Sequence, residues 1–319
     1  GGLLADRYLG MRKAVVFGGV LLELGHLGMA LEGEQARMVN GQIVRDEAAL
    51  QAFYFSLALI VIGVGFLKPN ISTIVGRLYS ENDPRRDAGF TIFYMGINIG
   101  AFAATLVCGY LGETYGWHYG FGVAGIGMVI GLVTFLSGQK HLHGLAEPHD
   151  TARLKRKSPL GLSVEHTIYL SGLLAVFAVW KMLQFHGAVG HMLNALSVAV
   201  LLGLGWFIAV KCNPVERSRM LVLVILTMST VVFWALFEQA AASMTLYADR
   251  VLDRNIFGVE MTASQFGALN AFFIFLFAPL FAWLWLFLAR RGLEPSTPVK
   301  FALGIAQAGL GFGALVIGA

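Results

Sequence analysis

An all-α polytopic membrane protein is the fold class that three observations predict. Of 319 residues, 57% are hydrophobic and only 13% charged. The mean hydropathy is +0.69. The apolar residues also gather in successive blocks of roughly 20, the length that crosses a ~30 Å hydrocarbon core as a helix. An average soluble domain carries about twice that share of charge. No N-terminal signal peptide is recognisable, and a chain whose own spans direct insertion needs none. The sequence starts at Gly1 in a polar turn, and its last apolar block runs to Ala319 without a flanking charge. Both ends read as cut from a longer protein.

Nine blocks are expected as transmembrane helices, at residues 13–31, 51–78, 88–112, 118–138, 167–186, 190–210, 219–248, 263–289 and 299–319. Lys and Arg concentrate in alternate connections. Arg7, Arg12 and Lys13 precede the first block, Arg77, Arg85 and Arg86 follow the second, and Lys140, Arg153, Lys155, Arg156 and Lys157 occupy the stretch 139–166. Lys211, Arg217 and Arg219 follow the sixth block, and Arg290, Arg291 and Lys300 the eighth. The intervening connections lack basic residues or dilute them with acids. The positive-inside rule therefore places the Gly1 end on the cytoplasmic side. This distribution accounts for the net charge of +4 and leaves no case for a nucleic-acid partner. Cys108 and Cys212, in or beside apolar blocks, read as small packing residues. Two such cysteines build neither a disulfide framework nor a metal site.

The stretch 139–166 is polar, basic and marked by Pro148 and Pro159. It is expected to be a solvated linker separating four spans from five. His141, His143 and His149 within it lack metal-ligand spacing. In the opening turn glycines permit a tight bend, while Asp6 has the chemistry to cap a helix or pair with an arginine. In the first block Glu23 and His26 share a helix face three residues apart. They read either as a polar pair satisfying each other in a helix contact or as a proton relay.

Polar groups inside the apolar blocks are the functional candidates, because an intramembrane charge is costly unless it meets a partner or a water-filled cavity. Lys68 stands nine residues before Arg77, hence about 13–14 Å from the boundary and near mid-membrane. Either it enters a polar cavity or it snorkels along its stem. Pro69 removes a backbone donor and favours a kink that frees carbonyls. Tyr94 and Asn98 lie i, i+4 on one face of the third block, about 10 and 16 Å deep. That face either lines the same cavity or bonds a neighbouring helix. Gly96 and Gly100 form a GxxxG on another face, expected to allow close helix packing. Glu238 lies about 16 Å from a boundary, counting from Asp249, with Trp234 one turn before it and Gln239 and Ser243 forming another i, i+4 pair. It reads either as a group that alternates between protonated and ionised states or as a structural acid. Asn270 and a kink at Pro279 follow in the next block. Polar groups near the midplane on interrupted helices are how secondary transporters hold cargo and coupling ions.

The segments FLKPN, FYMGINIGAF, GWHYGF, FWALFEQ, ASQFGALNAFFIFLFAPLFAWLW and PSTPVKFALG occur in that order. They closely resemble the proton-dependent oligopeptide transporter family of the major facilitator superfamily. The opening turn resembles the superfamily's cytoplasmic loop signature at Gly2, Asp6, Arg7, Gly10 and Arg12, with one extra residue between Asp6 and Gly10. The resemblance implies a partial major facilitator fold of about nine transmembrane helices, equivalent to helices three to six, an inserted pair, and helices seven to nine. Residues 1–138 would be part of the N-terminal bundle, 139–166 the cytoplasmic linker, 167–212 the inserted hairpin and 213–319 part of the C-terminal bundle. The first two and last three helices would lie outside the chain.

The resemblance further implies proton-coupled import of di- and tripeptides by alternating access in a bacterial inner membrane, with no bound cofactor and protons as the coupling ion. Lys68 matches a lysine that serves proton coupling and the peptide carboxyl end. Tyr94 and Asn98 match residues lining the peptide site, Glu238 an acid of the extracellular gate and of proton movement, and Asn270 an asparagine near the peptide amino end. The candidate substrate-binding residues are thus Lys68, Tyr94, Asn98, Trp234 and Asn270, and the proton-coupling residues Lys68 and Glu238. Small peptides, protons and the lipid bilayer are the expected partners. The same fold carrying nitrate or a peptide-like metabolite, or a non-transporting receptor-like relative, is the alternative. No HExxH, nucleophile elbow or phosphate loop supports an enzyme. Lys181, His186 and His191 lie in the inserted hairpin, which is expected to pack outside the bundles.

Overall fold

The computed structural model describes residues 1–31, 33–34, 36–80, 83, 85–148, 150–157, 161–256 and 258–318. His149 and Pro159 lie outside these residues, as does the side chain of His186. The helices are α1 (Gly2–Leu4), α2 (Met11–Met29), α3 (Glu47–Arg77), α4 (Arg86–Tyr115), α5 (Trp117–Gly138), α6 (Thr151–Lys155), α7 (Val164–Gln184), α8 (His186–Lys211), α9 (Pro214–Phe237), α10 (Ser243–Arg250), α11 (Ala268–Arg290) and α12 (Thr297–Gly318). Two short antiparallel hairpins, β1 (Arg37–Val39) with β2 (Gln42–Val44) and β3 (Asn255–Ile256) with β4 (Val259–Glu260), add strands to a chain expected to be all helical.

Eight helical stretches among the described residues are long and apolar enough to cross a membrane. The block expected at 13–31 is not among them: α2 carries Arg12, Lys13, Glu23 and His26 and four glycines within 19 residues. One face of it, with Leu21, Leu22, Ala14 and Val15, is buried, while Val20, Leu24 and Leu27 are exposed. The seventh block is also divided. α9 stops at Phe237, a 3₁₀ turn runs over Glu238–Ala241, and α10 starts only after Ala242, whose φ of −118° and ψ of −90° are not helical.

Local sequence explains four helix starts. Asp46 accepts a bond from Ala49 N (3.0 Å) to cap α3, and Asp150 accepts from Arg153 N (2.9 Å) to cap α6. Ser163 accepts from His166 N (3.2 Å) at the start of α7. Before α9, Asn213 and Glu216 form a reciprocal capping box with Pro214 following the cap. Each satisfies backbone donors that a helix start leaves orphaned. Gly116, at φ 119°, makes the sharp turn between α4 and α5.

The chain forms two compact units, Gly1–Val189 and Gly190–Ala319. The hairpin expected as one piece, 167–212, is divided between them. In the first unit α3 packs on α2, with α5 against α2 and α7 against α3. Val176 of α7 joins Leu21, Ala58 and Leu59 in one core cluster, and Phe17 meets Phe66 edge-on at 5.0 Å and Tyr169 at 4.8 Å. Lipid tails are as apolar as leucine, so tight approach rather than water exclusion holds such helices together. Gly18 and Gly63 supply that approach: a methyl group on Gly18 would sit 2.6 Å from the Gly63 carbonyl oxygen. Gly96 and Gly100, expected at a close helix contact, have nothing within 4 Å of such a methyl position among the described residues. In the second unit α12 packs on α9, and Arg217 caps the end of α8 through the carbonyls of Ile208 (3.2 Å) and Ala209 (2.7 Å).

Candidate functional site

The opening turn is built around its extra residue. Ala5–Leu9 forms a π-helical turn closed by Gly10 N on the Ala5 carbonyl at 2.9 Å. A π-turn is how a helix absorbs one inserted residue, here between Asp6 and Gly10. Gly10 then reverses the chain at φ 77°, and a methyl group on it would lie 2.5 Å from Pro148 N. Both the conformation and the space require glycine. Arg12 follows, donating from Nε and Nη2 to the two carboxylate oxygens of Glu147 and from Nη1 to Gln139 Oε1 at 3.1 Å. Lys13 Nζ pairs with Glu165 Oε1 at 2.6 Å, and Tyr169 OH donates to the same oxygen at 3.1 Å. Gly2 lies in α1 with a methyl position against Pro69 at 3.7 Å. Asp6 and Arg7 are exposed, and Asp6 neither caps a helix nor pairs with a described cation.

The stretch 139–166 is therefore not a free, solvated linker. Arg12 N donates to the Ala146 carbonyl at 3.0 Å, and Ala146 and Leu154 are each 2% exposed. Leu154 packs with Ala5, Leu9, Ala14, Phe66 and Ile168, while the Arg153 guanidinium lies 4.8 Å above the Tyr8 ring. These anchors were hidden in the sequence because most of the partners, in residues 5–14, lie more than 130 residues away.

Within the first unit, Lys68 lies two-thirds of the way along the apolar α3, exposed, beside Pro69. No carboxylate among the described residues pairs with its ammonium. Pro69 stays inside the helix, and the carbonyl at 69 accepts from Thr73 Oγ1 at 2.8 Å. Asn98 is 7% exposed and its Nδ2 donates to the Tyr94 carbonyl at 2.9 Å, within its own helix α4. Tyr94 is exposed. No described hydrogen bond joins Lys68 to Tyr94 or Asn98. Glu23 and His26 do not satisfy each other: His26 Nδ1 faces the Leu22 carbonyl at 2.8 Å, and both carboxylate oxygens of Glu23 are buried without a hydrogen-bond partner among the described residues.

Within the second unit, Glu238 stands at the junction where α9 gives way to the 3₁₀ turn, and it is exposed. Trp234 is exposed as well, its ring edge-on to Phe237 at 5.4 Å. Ser243 Oγ donates to Gln239 Oε1 at 2.5 Å, bridging the break between the turn and α10. Sequence spacing alone indicated this pair. Asn270 is exposed in the first turn of α11. Lys68 in the first unit and Glu238 in the second are thus exposed charges of opposite sign without a described ion-pair partner, one on a proline-bearing helix and one at a helix break.

The POT family (PTR2) profile matches residues 12–319. The chain belongs to the POT family. It is 38% identical to the uncharacterized transporter YclF of Bacillus subtilis (strain 168) over 98% of the chain and 60% of that protein. It is 36% identical to the peptide transporter YePEPT of Yersinia enterocolitica over 100% of the chain and 62% of that protein. A crystal structure of a mutant of peptide transporter POT in complex with alafosfalin superimposes with a TM-score of 0.76, at 37% identity, covering 98% of the chain and 60% of that structure. The chain thus spans about three-fifths of the length of these POT family proteins, as an integral membrane protein with a partial major facilitator fold.

Proposed function

We propose that the whole protein containing this chain is a proton-coupled secondary transporter that imports di- and tripeptides by alternating access, with its Gly1 end on the cytoplasmic side of a bacterial cell membrane. Membership of a transporter family sets the class, and the relative named as a peptide transporter supports the cargo. The observation that carries it is Lys68: an ammonium two-thirds of the way along a 31-residue apolar helix, nine residues before its end, with no described counter-ion. Such a charge costs about 2.5–3.5 kcal/mol at a bilayer centre, a cost that a substrate carboxylate or a titrating acid would offset.

A peptide zwitterion offers two opposite charges at a fixed separation. Lys68 is assigned the carboxyl end, with Tyr94, Asn98 and Trp234 lining the site and Asn270 near the amino end. Glu238, where the helix is already broken, is assigned proton movement, since a carboxyl there changes its backbone surroundings at little cost. Neither role needs a bound cofactor; protons are the coupling ion. The test is uptake of labelled di-alanine into proteoliposomes holding the full-length protein under an inward proton gradient. Accumulation that unlabelled dipeptides compete away is expected. Uptake competed by nitrate and not by dipeptides, or no uptake, contradicts the proposal.

A further inference from the structure

A cavity of about 880 Å³ lies between the ends of α3 and α4 and the segment after α5, reaching along α3 as far as Ser72 and Thr73, one turn beyond Lys68. Arg77, Arg86, Tyr79 and Ser80 line it from the α3–α4 side, and Leu145 and Glu147 from the other. Among the described lining residues the charge is unbalanced. Glu147 already accepts from Arg12 at both carboxylate oxygens, so its negative charge is paired. Among the described residues Arg77 makes one hydrogen bond, from Nη1 to the Leu145 carbonyl at 3.3 Å. Arg86 Nε is buried and has no acceptor among the described residues. A buried guanidinium N–H without a partner leaves its desolvation uncompensated, and such an orphan beside a second arginine in an open cavity is a pattern that an anion would satisfy. The neighbouring Arg85 is not available for this purpose. It binds Asp83 through Nη2 at 2.9 Å, a hydrogen bond that holds the Asp83 carboxyl below the usual carboxylate range.

We propose that this cavity binds a phosphate group between Arg77 and Arg86, with the Tyr79 and Ser80 hydroxyls as further donors. Two planar forks converging on one tetrahedral oxyanion suit arginine chemistry better than a point charge does. The phosphate comes either from an anionic phospholipid headgroup or from solution. The cavity sits on the face that loop charges assign to the cytoplasm, the leaflet side where basic pockets at helix ends collect anionic lipid. Occupancy would tie α3 and α4 to the docked segment after α5. The site does not depend on what the transporter carries.

The full-length protein, delipidated in detergent, is titrated with phosphatidylglycerol, with phosphatidylcholine and with inorganic phosphate, and bound lipid is read by native mass spectrometry and phosphate by calorimetry. Selective binding of phosphatidylglycerol identifies a lipid source, and binding of inorganic phosphate a soluble one. Arg77→Gln and Arg86→Gln each weaken the binding at least about tenfold, the loss of one charged hydrogen bond, while Arg85→Gln leaves it unchanged. In wild-type protein the same ligand protects Arg77 and Arg86 from phenylglyoxal, a readout that needs no folded variant. Equal binding of the two lipids with no phosphate binding, or unchanged labelling of both arginines, overturns the proposal. A failure of peptide uptake leaves these readouts untouched.

Discussion

Gly18 of α2 and Gly63 of α3 face each other so closely that a methyl group on either would run into the other's carbonyl oxygen, at 2.6 Å from Gly18 and 2.8 Å from Gly63. The contact is reciprocal, and the colliding atoms are main chain on both sides. Neither helix yields locally, so the pair fixes how α2 crosses the helix that holds Lys68.

Gly63→Leu should therefore lower the stability of the detergent-solubilised protein by at least about 1–3 kcal/mol, the usual cost of overpacking. Gly138→Ala, at a position open to space, should change stability by under about 1 kcal/mol. Thermal unfolding of the two variants decides it. Equal melting temperatures would mean that the α2–α3 contact does not set the packing of this unit.

The Arg12–Glu147 pair is partly exposed, at 27% and 43%, so its own contribution is modest. A double-mutant cycle with Arg12→Ala and Glu147→Ala should return a coupling of about 0.5–1 kcal/mol that shrinks in high salt. Gly10→Ala should cost more than either, because it meets both an unfavourable φ and the Pro148 main chain. If Gly10→Ala melts with the wild type, the turn is not locked as described.

Docking of the segment after α5 rests on buried apolar side chains more than on charge. Leu154→Asp places a carboxylate among Ala5, Leu9, Phe66 and Ile168. Trypsin should then cleave rapidly at Lys155, Arg156 and Lys157. An unchanged digestion rate would show that the segment is held by something other than Leu154.

The sequence carried the helices plainly, because apolar runs of membrane-crossing length have few alternatives. It also marked Gly10, where glycine chemistry has one economical explanation, and the Gln239–Ser243 pair, which spacing alone brings together. What it concealed depends on distant residues or on choices among local partners. Glu23 and His26 share a helix face, yet the His26 ring turns back to the carbonyl one turn earlier, a bond that a helix always offers. Polar composition suggested that 139–166 is free, although two residues, Ala146 and Leu154, suffice to seat it. The break after Glu238 left no proline or glycine as a signal; Ala242 carries the irregular backbone. GxxxG at Gly96 and Gly100 shows the converse, a packing pattern with no packing partner among the described residues.

Glu238 separates coupling from binding. Glu238→Gln keeps the shape and hydrogen-bonding capacity of the side chain but removes its titration. The full-length variant should lose gradient-driven peptide accumulation by about tenfold or more, as removal of a proton-transfer group typically does, while retaining exchange of labelled for unlabelled peptide. Loss of both activities would place Glu238 in binding or folding, and loss of neither would remove it from the mechanism.

The most direct measurement concerns Lys68. Full-length wild-type and Lys68→Ala proteins, reconstituted at equal density, are compared for accumulation of labelled di-alanine under an inward proton gradient. Wild type should concentrate the peptide and Lys68→Ala should fall to the level of empty liposomes. Equal accumulation by the two proteins would contradict the assignment of the unpaired ammonium to peptide and proton coupling.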